Sequence, residues 1–66
     1  MILIEYKIKF QLFKLDINGY PLSMSNKTIY LESDSNNYDE IRDKVISLYP
    51  NAKYIIIFLG NVRLSD

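Results

Sequence analysis

One stretch of this chain has the period of a helix, and three have the period or the composition of strands. That ratio is the strongest constraint on the fold, because one helix shelters one face of a sheet and leaves the other open. The first strand is the plainest. Ile2, Ile4, Tyr6, Ile8 and Phe10 alternate with Glu5, Lys7 and Lys9, as in a half-buried strand. Asp16-Ile17-Asn18-Gly19 follows. Asn-Gly is a strong two-residue hairpin signal, since both central residues of a type I′ turn need φ > 0. A second strand is expected over residues 22–32, irregular around Pro21 and residues 23–26 and firmest over 27–32.

Asn37 followed by Glu40 has capping-box spacing. Beyond it Tyr38, Ile41, Val45 and Leu48 recur as one apolar helical stripe. Glu40 and Lys44 form an i,i+4 pair in the favourable order, and Pro50 stops the helix after Tyr49. Residues 54–59 are apolar without a break, and their β-branched and aromatic content marks a strand. Gly60-Asn61 reads as a turn, and Val62-Arg63-Leu64 as a stub strand or a tail. The expected fold class is α+β: one domain over residues 1–66, with order β-β-α-β, a small antiparallel or mixed sheet, and the helix packed on one face.

A two-residue turn at Asn18-Gly19 pairs Ile8 with Ile29, Tyr6 with Leu31, Lys9 with Thr28, Lys7 with Tyr30, and Glu5 with Glu32. The even positions of the first strand then suit the helix-covered face. Nearer the turn the pattern inverts. Phe13 meets Met24 and Leu15 meets Leu22, both on the face that should be solvated. Either a β-bulge near Gln11-Leu12 restores the parity, or the hairpin tip presents an apolar patch outward. The last strand poses the same question. Ile55, Ile57 and Leu59 occupy one parity, and Tyr54, Ile56 and Phe58 the other. Such a strand is either covered on both sides or leaves an open face that meets another chain.

Composition narrows the chemistry. The chain has no cysteine, histidine or tryptophan. A disulfide framework, a Cys/His zinc site, a thiol nucleophile and a Ser-His-Asp triad are thereby excluded. Gly19 and Gly60 are isolated, so no loop cradles a phosphate. The acidic residues of segment 34–43 lack EF-hand spacing and suit a helix N-terminus. Glu5 and Glu32 meet across the hairpin, but at a strand end they read as solvated charges. No catalytic, cofactor-binding or metal-binding residue is assigned, and an enzyme is not expected. A core built from 66 residues supplies only about 3–5 kcal/mol, and one helix with a few strands rarely encloses a substrate pocket.

Eight basic side chains balance eight acidic ones, unlike the basic footprint of most nucleic-acid binders. No apolar run has the length of a membrane span. The charged residues at the N-terminus do not suit a signal peptide, so a cytoplasmic location without membrane association is expected. Ile, Lys, Asn and Tyr make up 28 of the 66 residues, a bias toward AT-rich codons that suits a low-GC genome, including its phages and plasmids.

Several short segments resemble ubiquitin-like, β-grasp proteins. Ile17-Asn18-Gly19 sits at the hairpin tip as Leu-Thr-Gly does in that family. Lys27-Thr28-Ile29 with Leu31-Glu32 is similar to its second strand, and Ile57-Phe58-Leu59-Gly60 to its Leu-Ile-Phe-Ala-Gly stretch. The resemblance implies a β-grasp fold in which residues 54–59 take the central place, parallel to strand one. It matches Ile17 and Ile57 to two apolar positions of the family's recognition patch. The family's final strand and di-glycine tail have no counterpart here, so conjugation is not implied.

The function expected from these residues is non-enzymatic protein–protein interaction. Phe13, Leu15, Ile17, Leu22, Met24, Ile55 and Ile57 would be buried against a partner, with Tyr30, Lys7 and Lys9 at the rim. The partner is a protein: a second copy, or a larger host protein that a small phage or plasmid accessory factor modulates or inhibits. The alternative is a small nucleic-acid-binding protein that uses Lys7, Lys9, Thr28 and Tyr30 to track phosphate and stack bases.

Overall fold

The computed structural model describes residues 2–64. It shows the expected small α+β fold and the order β-β-α-β. The strands are β1 (Ile4–Leu15), β2 (Pro21–Ser33) and β3 (Tyr54–Arg63), with one helix, α1 (Tyr38–Ile46), between β2 and β3. The sheet order is β2-β1-β3, and both pairings are antiparallel.

The β1–β2 register follows the sequence expectation from Glu5↔Glu32 through Phe13↔Met24 to Lys14↔Ser23, but its cause is different. Gly19 has φ 85° and no non-glycine among the described residues has positive φ, which excludes a type I′ turn at Asn18-Gly19. Gly19 N–H donates to the Asp16 carbonyl (3.0 Å) and Asp16 N–H to the Tyr20 carbonyl (2.8 Å). This is a three-residue loop that ends in a left-handed glycine. The Asp16 carboxylate accepts from Asn18 N–H (2.8 Å) and Tyr20 N–H (2.9 Å), closing the loop from within. Leu15 pairs with Pro21, not with the expected Leu22, and the ladder shifts by one residue before Lys14↔Ser23. The extra loop residue and the bulge cancel, so the expected register survives. No shift occurs near Gln11-Leu12 in this pairing, and residues 23–26 are regular strand. The parity inversion is therefore real.

Asn37 caps α1, its side chain accepting from Asp39 N–H at 2.9 Å. A nine-residue helix is too short to persist alone, so its stability comes from docking Ile41 and Val45, both fully buried. The helix ends at Ile46, earlier than the periodicity implied. Leu48 consequently leaves the stripe and is exposed, while Tyr49 packs edge-on against Phe10 and Tyr54. Lys44 does not pair with Glu40 but donates to Ser33 Oγ at 3.0 Å. Arg42 lies over the Phe58 ring at 5.7 Å. With Lys44 over β2 and Arg42 over β3, the helix axis lies above β1.

The parallel pairing of the last strand with β1, expected from the β-grasp resemblance, does not form, and β1 rather than β3 is central. The chain path explains why. β2 ends beside Ile4, and α1 starts there, where the Tyr6 hydroxyl donates to the Ser35 carbonyl (2.8 Å). Nine helical residues advance about 13.5 Å, and residues 47–53 carry the chain on to the hairpin tip, where Leu15 N–H donates to the Lys53 carbonyl (2.8 Å). A strand that begins at the tip can only run back antiparallel to β1. Gly60-Asn61 is likewise not a turn. β3 continues through it to Arg63, with a shift that leaves Leu59 as the extra residue.

The core lies on one face. Ile4, Tyr6, Ile8, Phe10 and Leu12 are 0–8% exposed, beneath Ile41 and Val45. Ile29, Leu31, Tyr49, Tyr54, Ile56 and Phe58 flank them.

Candidate functional site

The hairpin strands of 12 and 13 residues are about 40 Å long at ~3.4 Å per residue, roughly three times the length of α1. Two regions are therefore uncovered by the helix: the whole opposite face, and the hairpin tip on both faces. On the helix side the tip carries Lys14, Ser23 and Ser25, all exposed and polar. On the opposite side it carries apolar residues.

The open face is assembled in rows by the registers of the two pairings. Phe13 lies between Met24 and Ile55, and Gln11 between Asn26 and Ile57. Leu15 and the bulge residue Leu22 extend the patch toward the tip, and Leu59 follows Ile57 along β3. Met24, Ile55 and Ile57 are 46–47% exposed, and Leu22 and Leu59 about 60%. Phe13 and Leu15 are half-buried among these neighbours. Six of the eight residues expected to bind a partner (Phe13, Leu15, Leu22, Met24, Ile55 and Ile57) thus come together. Ile17 is separate, at the loop apex and 99% exposed. Tyr30 lies toward the opposite end of the face, beside Lys7. Leu59 shares the parity of Ile55 and Ile57 that the sequence marked, but it and Val62 were not among the residues expected to bind a partner. They belong to this face because β3 does not turn at Gly60.

The far half of the same face has another character. Lys7 pairs with Tyr30 on one side and Val62 on the other, and Lys9 with Thr28 and Gly60. The four residues of the nucleic-acid alternative are therefore adjacent. Glu5 and Glu32 sit opposite one another just beyond them and, with Tyr30 and Leu31, line a shallow cleft of about 170 Å³. A second open depression of about 440 Å³ lies at the tip, between Lys14–Ile17 and Ala52–Tyr54. Among the described residues no group of three or more acidic side chains is placed to hold a metal ion, and no helix is long and apolar enough to cross a membrane.

The covered face has a polar exception. Asn61 stands opposite Ile8, and both polar atoms of its side chain are buried without a hydrogen-bond partner. Comparison of the chain with the models of known protein families, with curated proteins and with solved structures returns no match.

Proposed function

We propose that this chain is a non-enzymatic protein-binding module that docks through the tip half of its open sheet face. The observation that carries this reading is the contiguous row Met24–Phe13–Ile55 with Leu15, Leu22, Ile57 and Leu59 around it, left uncovered by every described residue of the chain. Contiguous exposed apolar surface of this kind marks interaction sites. Each anchor gains roughly 1.5–3 kcal/mol on full burial, before ordering costs are subtracted. The partner is a protein with a complementary apolar groove and acidic groups placed to meet Lys7 and Lys9 at the rim. The AT-biased composition suits an accessory factor of a phage or plasmid that occupies a host protein in the cytoplasm.

Affinity capture from a lysate of the host cell tests this, comparing the wild type with a Phe13→Asp/Met24→Asp variant whose fold is checked by circular dichroism. The folded variant should lose the captured protein. Equal capture by both forms would place the site elsewhere. The second reading, nucleic-acid binding by Lys7, Lys9, Thr28 and Tyr30, rests on their adjacency in the sheet. Affinity carried by phosphate contacts falls steeply with salt, whereas apolar docking changes little, so a salt titration separates the two.

A further inference from the structure

The two edges of the sheet are unlike. The β2 edge is guarded, since Pro21, Lys27 and Glu32 interrupt it and Ser23, Ser25, Asn26 and Thr28 fill the intervals. Charges and proline on an edge discourage a foreign strand. From Tyr54 to Val62, β3 carries no charged residue and no proline, and no described residue pairs with its outer side. Its first five residues, Tyr54 to Phe58, pair regularly with β1 before the shift at Leu59. An exposed, regular, apolar edge is a template for strand addition.

We propose that two copies of this chain pair along β3, antiparallel about a two-fold axis at Ile56, to form one six-stranded sheet. The choice of a second copy follows from self-complementarity. In an antiparallel pair centred on Ile56, Ile55 faces Ile57 of the second copy and Tyr54 faces its Phe58. Residues of one parity meet residues of the same parity, as a continuous sheet requires. The nearest charge, Lys53, faces Leu59, so no like charges oppose one another. The helices also fit. Strands about 4.8 Å apart place the two β1 strands roughly 14 Å apart, and α1 lies above β1, so two helices of about 10–12 Å diameter stand side by side without collision.

Stacking the open faces of two copies is not self-complementary in the same way. Parallel stacking sets Lys7 and Lys9 over their own counterparts, and antiparallel stacking sets the apolar tip over them. Edge pairing leaves the open face free and widens it. Met24, Phe13 and Ile55 of one copy continue into Ile57 of the next, giving an apolar strip four strands across. The interface itself is small, below about 1,200 Å² in total, so the dimer is weak and reversible. This inference rests on the β3 edge and does not require the open face to bind a partner.

The test uses the absence of cysteine from the chain. Sedimentation equilibrium of the wild type should show mass doubling as concentration rises into the high micromolar range. A strict monomer there would overturn the proposal. Under mild oxidation Ile56→Cys should form covalent dimers roughly tenfold faster than Lys27→Cys or Met24→Cys, because directly opposed residues lie within disulfide reach. Ile55→Cys mixed with Ile57→Cys should form heterodimers equally readily, and this pair carries the test on the open side should Ile56→Cys perturb the core. Faster cross-linking at Lys27→Cys would identify the β2 edge as the contact, and at Met24→Cys the open face; either overturns the β3 pairing. Phe13→Asp, used against the open face, should leave the dimer intact.

Discussion

Both faces of β1 carry apolar side chains, five on one side and Phe13 and Leu15 on the other, and these meet different fates. On one side Ile4, Tyr6, Ile8, Phe10 and Leu12 are buried. On the other, Phe13 and Leu15 share the patch with Met24, Ile55 and Ile57, which stay nearly half exposed. The difference is one short helix. Its Ile41 and Val45 close the first face over the length of Tyr6 to Phe10, and nothing among the described residues does so for the second. Hydrophobicity alone does not place a residue in a core; a second layer has to be supplied.

Phenylalanine on each face gives the sharpest way to break this contrast. Phe10→Ala should cost about 3–5 kcal/mol, which matches the whole stability expected of a domain this small. Urea titration followed by circular dichroism should find it largely unfolded. Phe13→Ala, in the same strand, should lower stability by only about 1–2 kcal/mol, because Phe13 is partly buried by its sheet neighbours but has no second layer above it. Equal losses would mean that the open face is covered in solution.

Asn61 offers the reverse experiment, a polar group on the covered side. Asn61→Val removes two buried polar atoms that lack partners and supplies a good strand former, so stability should rise by about 1–2 kcal/mol. A fall in the denaturation midpoint would show that the amide has a partner in solution. Asn37→Ala acts on the covering layer itself. Loss of the cap should cost about 1 kcal/mol and increase amide exchange in α1 more than in β1 and β2. The smallest effect is expected at Gly60, where an added Cβ meets nothing within 4 Å and φ is not positive. Gly60→Ala should leave the melting temperature unchanged or slightly raised. A marked loss would place another chain against that point of the open face.

Much of the site was legible because strand periodicity is local. Phe13, Met24, Ile55 and Ile57 stand out by parity, and the structure brings them together. What was not legible depended on balances between distant parts. Of the two alternatives at the hairpin, a bulge near Gln11-Leu12 or an outward apolar patch, the structure forms the second; the three-residue loop at Ile17–Gly19 and the bulge at Leu22 that together keep the register leave no mark on the apolar pattern. Leu48 followed the helical period as well as Val45 does, yet the helix stops before it and Tyr49 fills the space beside Phe10.

By itself the sequence determined the alternation of β1, the place of the hairpin turn, the capped start of α1 and the apolar character of β3. Each depends on residues close in the chain or on side-chain period. Tertiary structure decided that β3 runs antiparallel to β1 at an edge of the sheet, and hence which greasy side chains stay wet. The reason is geometric: α1 and residues 47–53 deliver the chain to the tip of the hairpin, and a strand entering there has one direction left to run.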